Sequence, residues 1–198
     1  MRGISLSLCL LLVFTLTLVL AACSAAGIQT QLLYSFSPES AVAHQYLSNK
    51  GSAETFHMLG TRKTPDGKMG SVYTFSRSGD YGVGYAISEK IDPFQWMVVA
   101  TNDYESPSPP KKSMPVDYQV YQDGYTALFG PVFSKDVVSV EADFSDGEAV
   151  QYLVAGGYFL LFSSRQADVC SIKVVGSGDQ VLFQKTFSKR FIESDECP

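Results

Sequence analysis

The chain has 198 residues, 45% of them hydrophobic, with 15 Lys and Arg against 20 Asp and Glu, a formal charge of −5. An acidic chain lacks the clustered cations that nucleic-acid phosphates reward, and it has no electrostatic reason to adhere to anionic lipid headgroups. The length suits one large domain or two small ones.

Met1-Arg2-Gly3 is followed by an uncharged, leucine-rich run from Ile4 to Leu20 and then by Ala21-Ala22-Cys23. A basic start, an apolar stretch and a small-residue cleavage site make a secretory signal over 1–22. Leu20-Ala21-Ala22-Cys23 resembles the bacterial lipobox, which implies cleavage before Cys23 and diacylglycerol on its thiol. An uncleaved membrane helix is the competing reading, since about 20 apolar residues span a bilayer. Ser24-Ala25-Ala26-Gly27 continues instead as a tether, assigned to 23–33, and not as a charged helix flank. Acyl chains at about 0.8 kcal/mol per buried methylene would hold the protein on the extracytoplasmic face of the cell membrane, or of an outer membrane in a host with two. The 198 residues less the first 22 leave 176, and losing Arg2 moves the charge from −5 to −6.

Of four cysteines, Cys9 leaves with the signal and Cys23 takes lipid, so Cys170 and Cys197 remain. In an oxidising compartment such a pair is most simply a disulfide; two free thiols are the alternative.

Residues 34–104 are expected to form a helix on an antiparallel sheet. Ser37-Pro38-Glu39 supplies an N-cap, a proline at the first helical position and an acid in the first turn. Val42, Ala43, Tyr46 and Leu47 give the apolar stripe, and Asn49-Lys50-Gly51 gives a basic end and a glycine stop. Strands follow over Thr55 to Lys63, Lys68 to Ser76 and Asp80 to Ser88, turning at Thr64-Pro65-Asp66-Gly67 and Ser78-Gly79. Tyr81, Val83, Tyr85 and Ile87 alternate with Gly82, Gly84, Ala86 and Ser88, so one face is large and the other nearly bare. The bare face is read as the place where the helix lies close. Gln95 to Asn102 closes the unit.

Four prolines between Glu105 and Pro115 make 105–115 a spacer. Residues 116–198 then read as an antiparallel immunoglobulin-like β-sandwich: Tyr118 to Tyr121, Tyr125 to Phe133, Val138 to Phe144, Glu148 to Val154, Tyr158 to Phe162, Val169 to Val175 and Val181 to Phe187. The fold class is mostly β (α+β).

The early helix, the extended segment ending in Asp66-Gly67, the glycine-and-tyrosine strand, Val138-Ser139-Val140-Glu141-Ala142-Asp143-Phe144-Ser145-Asp146-Gly147, Gly156-Gly157-Tyr158-Phe159-Leu160 and Ile172-Lys173-Val174 together resemble small secreted lipoproteins of Gram-positive bacteria. The resemblance is a pattern of strands and turns across much of the mature chain. It implies fold and address and carries no catalytic motif.

A search for chemistry yields little. The two histidines, His44 on the helix and His57 on the next strand, fall short of a zinc set; they could meet in space, but surface or half-buried structural histidines are the favoured reading. The Ser-x-x-Lys spacing Ser108 to Lys111 sits inside the spacer, where neither side chain is held. Asp143, Asp146 and Glu148 flank a glycine, but their spacing is that of a tight hairpin turn and not of a calcium loop. The reading is therefore of a non-enzyme with no metal and no cofactor. Tyr118, Tyr121 and Tyr125 beside the spacer are the candidate binding residues, offered as exposed rings able to stack on sugars or fill a partner's pockets, although tyrosine as a favoured strand residue with one wet end is the preferred reading. The function expected is a membrane-anchored interaction module whose partner is an envelope protein or wall polymer, with no nucleic acid. The alternatives are a receptor or enzyme with a cleft between the two β units, around His44, His57 and Glu54, and a purely structural envelope protein.

Overall fold

A computed structural model describes residues 35–49, 55–106, 114–187 and Cys197. The signal, the tether, Cys23, Glu54, Ser108 and Lys111 lie outside the described residues. No helix among the described residues is long and apolar enough to cross a membrane.

Helix α1 spans Pro38–Asn49. Ser37 caps it: its hydroxyl accepts the Ser40 N–H at 3.1 Å, and the Ser40 hydroxyl accepts the Ser37 N–H at 3.1 Å. Two otherwise orphaned donors are thereby satisfied. The buried stripe is Ala41, Val42 and Tyr46, whereas Leu47 is 62% exposed. The expected stripe was thus rotated too far, because the sheet beneath accepts a narrow seam.

Four strands form the first sheet: β1 (Thr55–Lys63), β2 (Met69–Arg77), β3 (Asp80–Asp92) and β4 (Gln95–Ser106), ordered β1-β2-β3-β4 and antiparallel throughout. Ser78 and Gly79, both with positive φ, make the tight β2–β3 turn. β4 runs past the expected end at Asn102 and takes in Glu105 and Ser106 of the expected spacer. β3 is buried on both faces from Gly82 to Ser88. Tyr85 and its row face away from the helix. The bare row is covered first by rings from β2, since a Cβ on Gly82 would fall 2.2 Å from the Phe75 ring and one on Gly84 2.1 Å from that of Tyr73. Helix residues Val42 and Tyr46 then pack on Tyr73, Phe75 and Ala86. The glycines therefore make room for aromatic rings laid flat across the sheet, and the helix rests on those rings.

The second half contains β5 (Gln119–Gln122), β6 (Thr126–Pro131), β7 (Val137–Phe144), β8 (Ala149–Leu153), β9 (Tyr158–Ser163), β10 (Val169–Gly176) and β11 (Val181–Thr186). One sheet is ordered β5-β6-β9 and the other β11-β10-β7-β8. The chain crosses between sheets from β6 to β7, from β8 to β9 and from β9 to β10, which is the Greek-key connectivity of immunoglobulin-like sandwiches. β8 stays beside β7 and does not join β9. Leu128, Phe159 and Leu161 meet Val140, Ala142, Phe144, Ile172 and Val174 in the core between the two sheets.

The opposite face of the β5-β6-β9 sheet packs on the first sheet. Ala127, Phe129 and Leu160 fill a shared core with Val72, Val83, Tyr85 and Ile87. Arg62 Nη1 donates to the Leu160 carbonyl at 2.8 Å across this seam, and the Tyr85 and Tyr125 hydroxyls lie 3.0 Å apart. The layers run helix, sheet, sheet, sheet. With both faces covered, β6 and β9 have no solvent side, which is why Phe159-Leu160-Leu161-Phe162 is continuously apolar.

Two outcomes are expected from this packing. Gly84→Ala should destabilise the protein by about 2–3 kcal/mol in urea unfolding, because Tyr73 is buried and has nowhere to move. Both halves should unfold in one transition monitored by tyrosine fluorescence and circular dichroism, and two separated transitions would contradict a shared core.

Candidate functional site

Along one side of the molecule the outer strands of the three sheets, β4, β5 and β11, lie one above another. Tyr104 of β4, Tyr118 just ahead of β5, Gln119, Val120 and Gln122 of β5, and Lys185 and Phe187 at the end of β11 line a groove of about 470 Å³. β5 has one neighbour, β6, so its other edge borders the groove. In an antiparallel pair alternate residues turn their backbone groups outward. Asp117 and Asp123 donate inward, to the Pro131 and Tyr125 carbonyls, so Tyr118, Val120 and Gln122 point their peptide groups to the groove.

Tyr104 covers part of this edge. Its hydroxyl accepts a hydrogen bond from Asn102 Nδ2 at 3.0 Å and donates to the Val120 carbonyl, and burial raises its pKa. Tyr118 forms the opposite wall. Its ring stands edge-on to Phe187 with centroids 5.8 Å apart, and Lys185 Nζ donates to its hydroxyl while lying 5.2 Å from the Tyr118 ring centroid and 5.0 Å from that of Phe187. The result is an aromatic groove with a cation at its rim, bordered by Gln119 and by Gln122, whose amide donates to the Ala167 carbonyl at 2.9 Å. Such a surface offers rings for stacking and backbone groups for hydrogen bonding.

A second, more polar cleft of about 420 Å³ lies between the turns of the two halves, lined by Pro65, Asp66, Lys68, Asp123, Gly124, Tyr125 and Ser164. Burial pushes the Asp66 carboxyl up, but the Thr64 hydroxyl, the Lys68 ammonium 3.6 Å away and backbone N–H groups outweigh it and hold the pKa low. Burial pushes both Tyr121 and Tyr125 up to about 12, so both phenols stay neutral.

The three candidate tyrosines are not one exposed surface. Tyr125 is buried in the shared core against Tyr85, which corrects its assignment as an exposed ring. Tyr118 and Tyr121 are three residues apart in a strand and so point to opposite faces. Tyr118 enters the groove, whereas Tyr121 packs toward Tyr85, centroids 5.2 Å apart, and donates to Asp123. His57 is exposed, and its neighbours Phe56 and Met58 face the helix side. Strand alternation therefore turns His57 away from α1 and His44, so the two do not form a pair and His57 is the surface histidine of the favoured reading. Asp143 accepts from the Ser171 hydroxyl at 2.6 Å, Asp146 from Ser163 at 3.1 Å and Glu148 from the Ser164 N–H at 2.7 Å. Gly147, with φ 84°, completes the hairpin turn. Cys170 and Cys197 are disulfide-bonded, with Cα atoms 5.4 Å apart.

Sequence reasoning missed Tyr104, Lys185 and Phe187. The alternation Val98, Ala100, Asn102, Tyr104 continues across the point where the strand was expected to stop, and was the available signal for Tyr104.

Asp117, which leads into β5, offers a pH test. Burial raises its carboxyl pKa, against the opposing Tyr118 N–H. A raised folded-state pKa means that the contribution of this carboxyl to stability is fully present below the ordinary carboxylate range and is lost as pH rises through the folded value. Asp117→Asn should therefore raise the melting temperature at pH 7 and change it little at about pH 3, as thermal melts across that range would show.

No protein family, curated protein or solved structure matches this chain, so any function assigned to it rests on its own residues and geometry.

Proposed function

We propose that the chain is an exported lipoprotein, anchored through diacylglycerol on Cys23 to the extracytoplasmic face of the membrane, whose folded part is a non-catalytic binding module. The observation that carries the address is Leu20-Ala21-Ala22-Cys23 at the end of an uncharged apolar run, twelve residues ahead of the first described residue, Ser35. A disulfide between Cys170 and Cys197 suits an oxidising compartment.

The binding role is supported by the groove beside β5. It combines aromatic walls from Tyr104, Tyr118 and Phe187 with the open edge of a strand, a combination that recognises extended polypeptide. An envelope protein presenting such a segment is the partner we favour, and a wall polymer stacking on the same rings is the other. The reading of a receptor or enzyme with a cleft between the two β units draws on one observation, the polar cleft around Asp66, Lys68 and Asp123. Between the facing sheets themselves the space is filled by Phe129, Leu160, Val72 and Val83.

The test is cross-linking of the lipidated protein in intact cells, with mass spectrometry of the N-terminal peptide. Wild type is expected to carry diacylglycerol on Cys23, lost in Cys23→Ala, and to yield a near-stoichiometric protein partner. Tyr118→Ala should lower that yield by about tenfold, as for an anchoring aromatic residue at an interface. An unmodified Cys23 would sink the address, and a lipidated chain with no partner would sink the binding role.

A further inference from the structure

The hairpin joining β3 to β4 runs beyond the rest of its sheet. β2 stops pairing at Met69, opposite Ser88, whereas β3 and β4 continue through Glu89–Met97, Lys90–Trp96 and Asp92–Gln95. The arm so formed carries Ile91, 45% exposed, Phe94, 73% exposed, and half-buried Trp96. The first described residues lie at the same place. Ser35 and Trp96 exchange both backbone hydrogen bonds, at 3.2 and 2.8 Å, so Phe36, 89% exposed, takes the next register position, level with Gln95, the residue between Phe94 and Trp96. Lys90 Nζ lies 5.9 Å from the Trp96 ring centroid.

Large apolar side chains gathered at one projecting tip mark a surface that another phase or molecule covers. The position of this tip in the chain says which. From Cys23 to Ser35 is 35 less 23, or twelve, peptide steps, which span at most about 40 Å when fully extended. A lipid on Cys23 therefore keeps this pole within that distance of the bilayer, and the tip is the exposed apolar surface that lies nearest to Cys23 along the described chain.

We infer that Phe36, Ile91, Phe94 and Trp96 insert into the headgroup–acyl boundary of the membrane that carries the Cys23 lipid, an inference that rests on the lipoprotein reading. Phenylalanine and isoleucine reach the acyl region, the indole suits the interface, and the Lys90 stem lets its ammonium stay in the headgroups. Glu89 and Asp92 share the arm and the mature chain carries −6, the −5 of the whole less Arg2. Attachment is therefore by apolar insertion and is indifferent to anionic lipid. Covalent anchoring makes the contact intramolecular, so a weak insertion suffices to keep it formed. Tyr104 sits ten residues along β4 from Phe94, about 30 Å at the rise of a strand, so the β5 groove opens away from the membrane.

Trp96 is the only tryptophan of the chain, which makes it the reporter. The full lipidated protein is reconstituted in phosphatidylcholine vesicles with plain or dibrominated acyl chains, and flotation and Trp96 emission are read together. The expected result is about a twofold lower emission with brominated lipid, as for an interfacial indole, unchanged when phosphatidylglycerol is included. The doubly substituted Phe36→Ser, Phe94→Ser protein should float equally well with its emission unquenched. Both sites are exposed, so its melting temperature should match wild type. Wild-type protein that floats with unquenched Trp96 overturns the insertion while leaving the anchor standing. So does quenching that survives the double substitution, quenching that requires phosphatidylglycerol, or a dimer dependent on Phe36 and Phe94 that shields Trp96 from lipid. Protein that neither floats nor carries diacylglycerol overturns the lipoprotein reading, and the insertion with it.

Discussion

Two short strands, β6 and β9, are buried on both faces, and the arrangement of every other layer depends on satisfying both. Leu128 points into the core of the sandwich while its neighbour Phe129 points into the core shared with the first sheet. Leu161 and Leu160 divide in the same way on β9. A three-stranded sheet of this kind cannot present either face to water without exposing a run of leucine and phenylalanine. The first sheet is accordingly part of the core of the second half, and the polar links across the seam, Tyr85 with Tyr125 and Arg62 with the Leu160 carbonyl, hold the register of that contact. Hydrophobic burial supplies the attraction and the hydrogen bonds select one docking among many.

The outermost layer solves a related problem with different side chains. A twelve-residue helix has little stability of its own, and α1 has only a narrow apolar seam to offer. The first sheet meets it with Tyr73 and Phe75, whose rings lie over Gly82 and Gly84 of the neighbouring strand. Tyr46 closes the cluster, its ring 4.9 Å from Phe56 and 5.2 Å from Phe75. The absent side chains on β3 are thus as much a part of the packing as the rings that occupy their place.

Stacking three sheets brings their outer strands into register along two sides, and each side is managed differently. On one, Arg62 of β1 reaches over Tyr152 of β8 and Phe162 of β9, 5.5 and 5.9 Å from their centroids, and Tyr158 lies across Gly60. On the other, β4, β5 and β11 leave a groove that Tyr104 bridges at the Val120 carbonyl. An open edge is a hazard for uncontrolled pairing and a resource for controlled pairing. Partial closure by Tyr104 limits the first and keeps the second. With the projecting β3–β4 arm at the opposite end of β4, the proposed membrane contact and the proposed partner contact fall at separate poles of one rigid body.

What was legible in the sequence was local. Period-two alternation located nearly all the strands, Ser78-Gly79 and Asp146-Gly147 located turns through their need for positive φ, and Ser37-Pro38 located the start of the helix, because each depends on residues a few positions apart. The pairing of Cys170 with Cys197 followed from counting thiols. Apart from that pair, what depended on distant segments meeting was left to the tertiary structure: that Tyr125 is core and Tyr118 groove, that Leu47 faces water, that His57 turns away from His44, and that two apparent units share one interior. A strand's alternation says which side chains lie together but not what lies opposite them. The continuous apolar stretch of β9 is accounted for only by the fold, which lays a sheet against each of its faces.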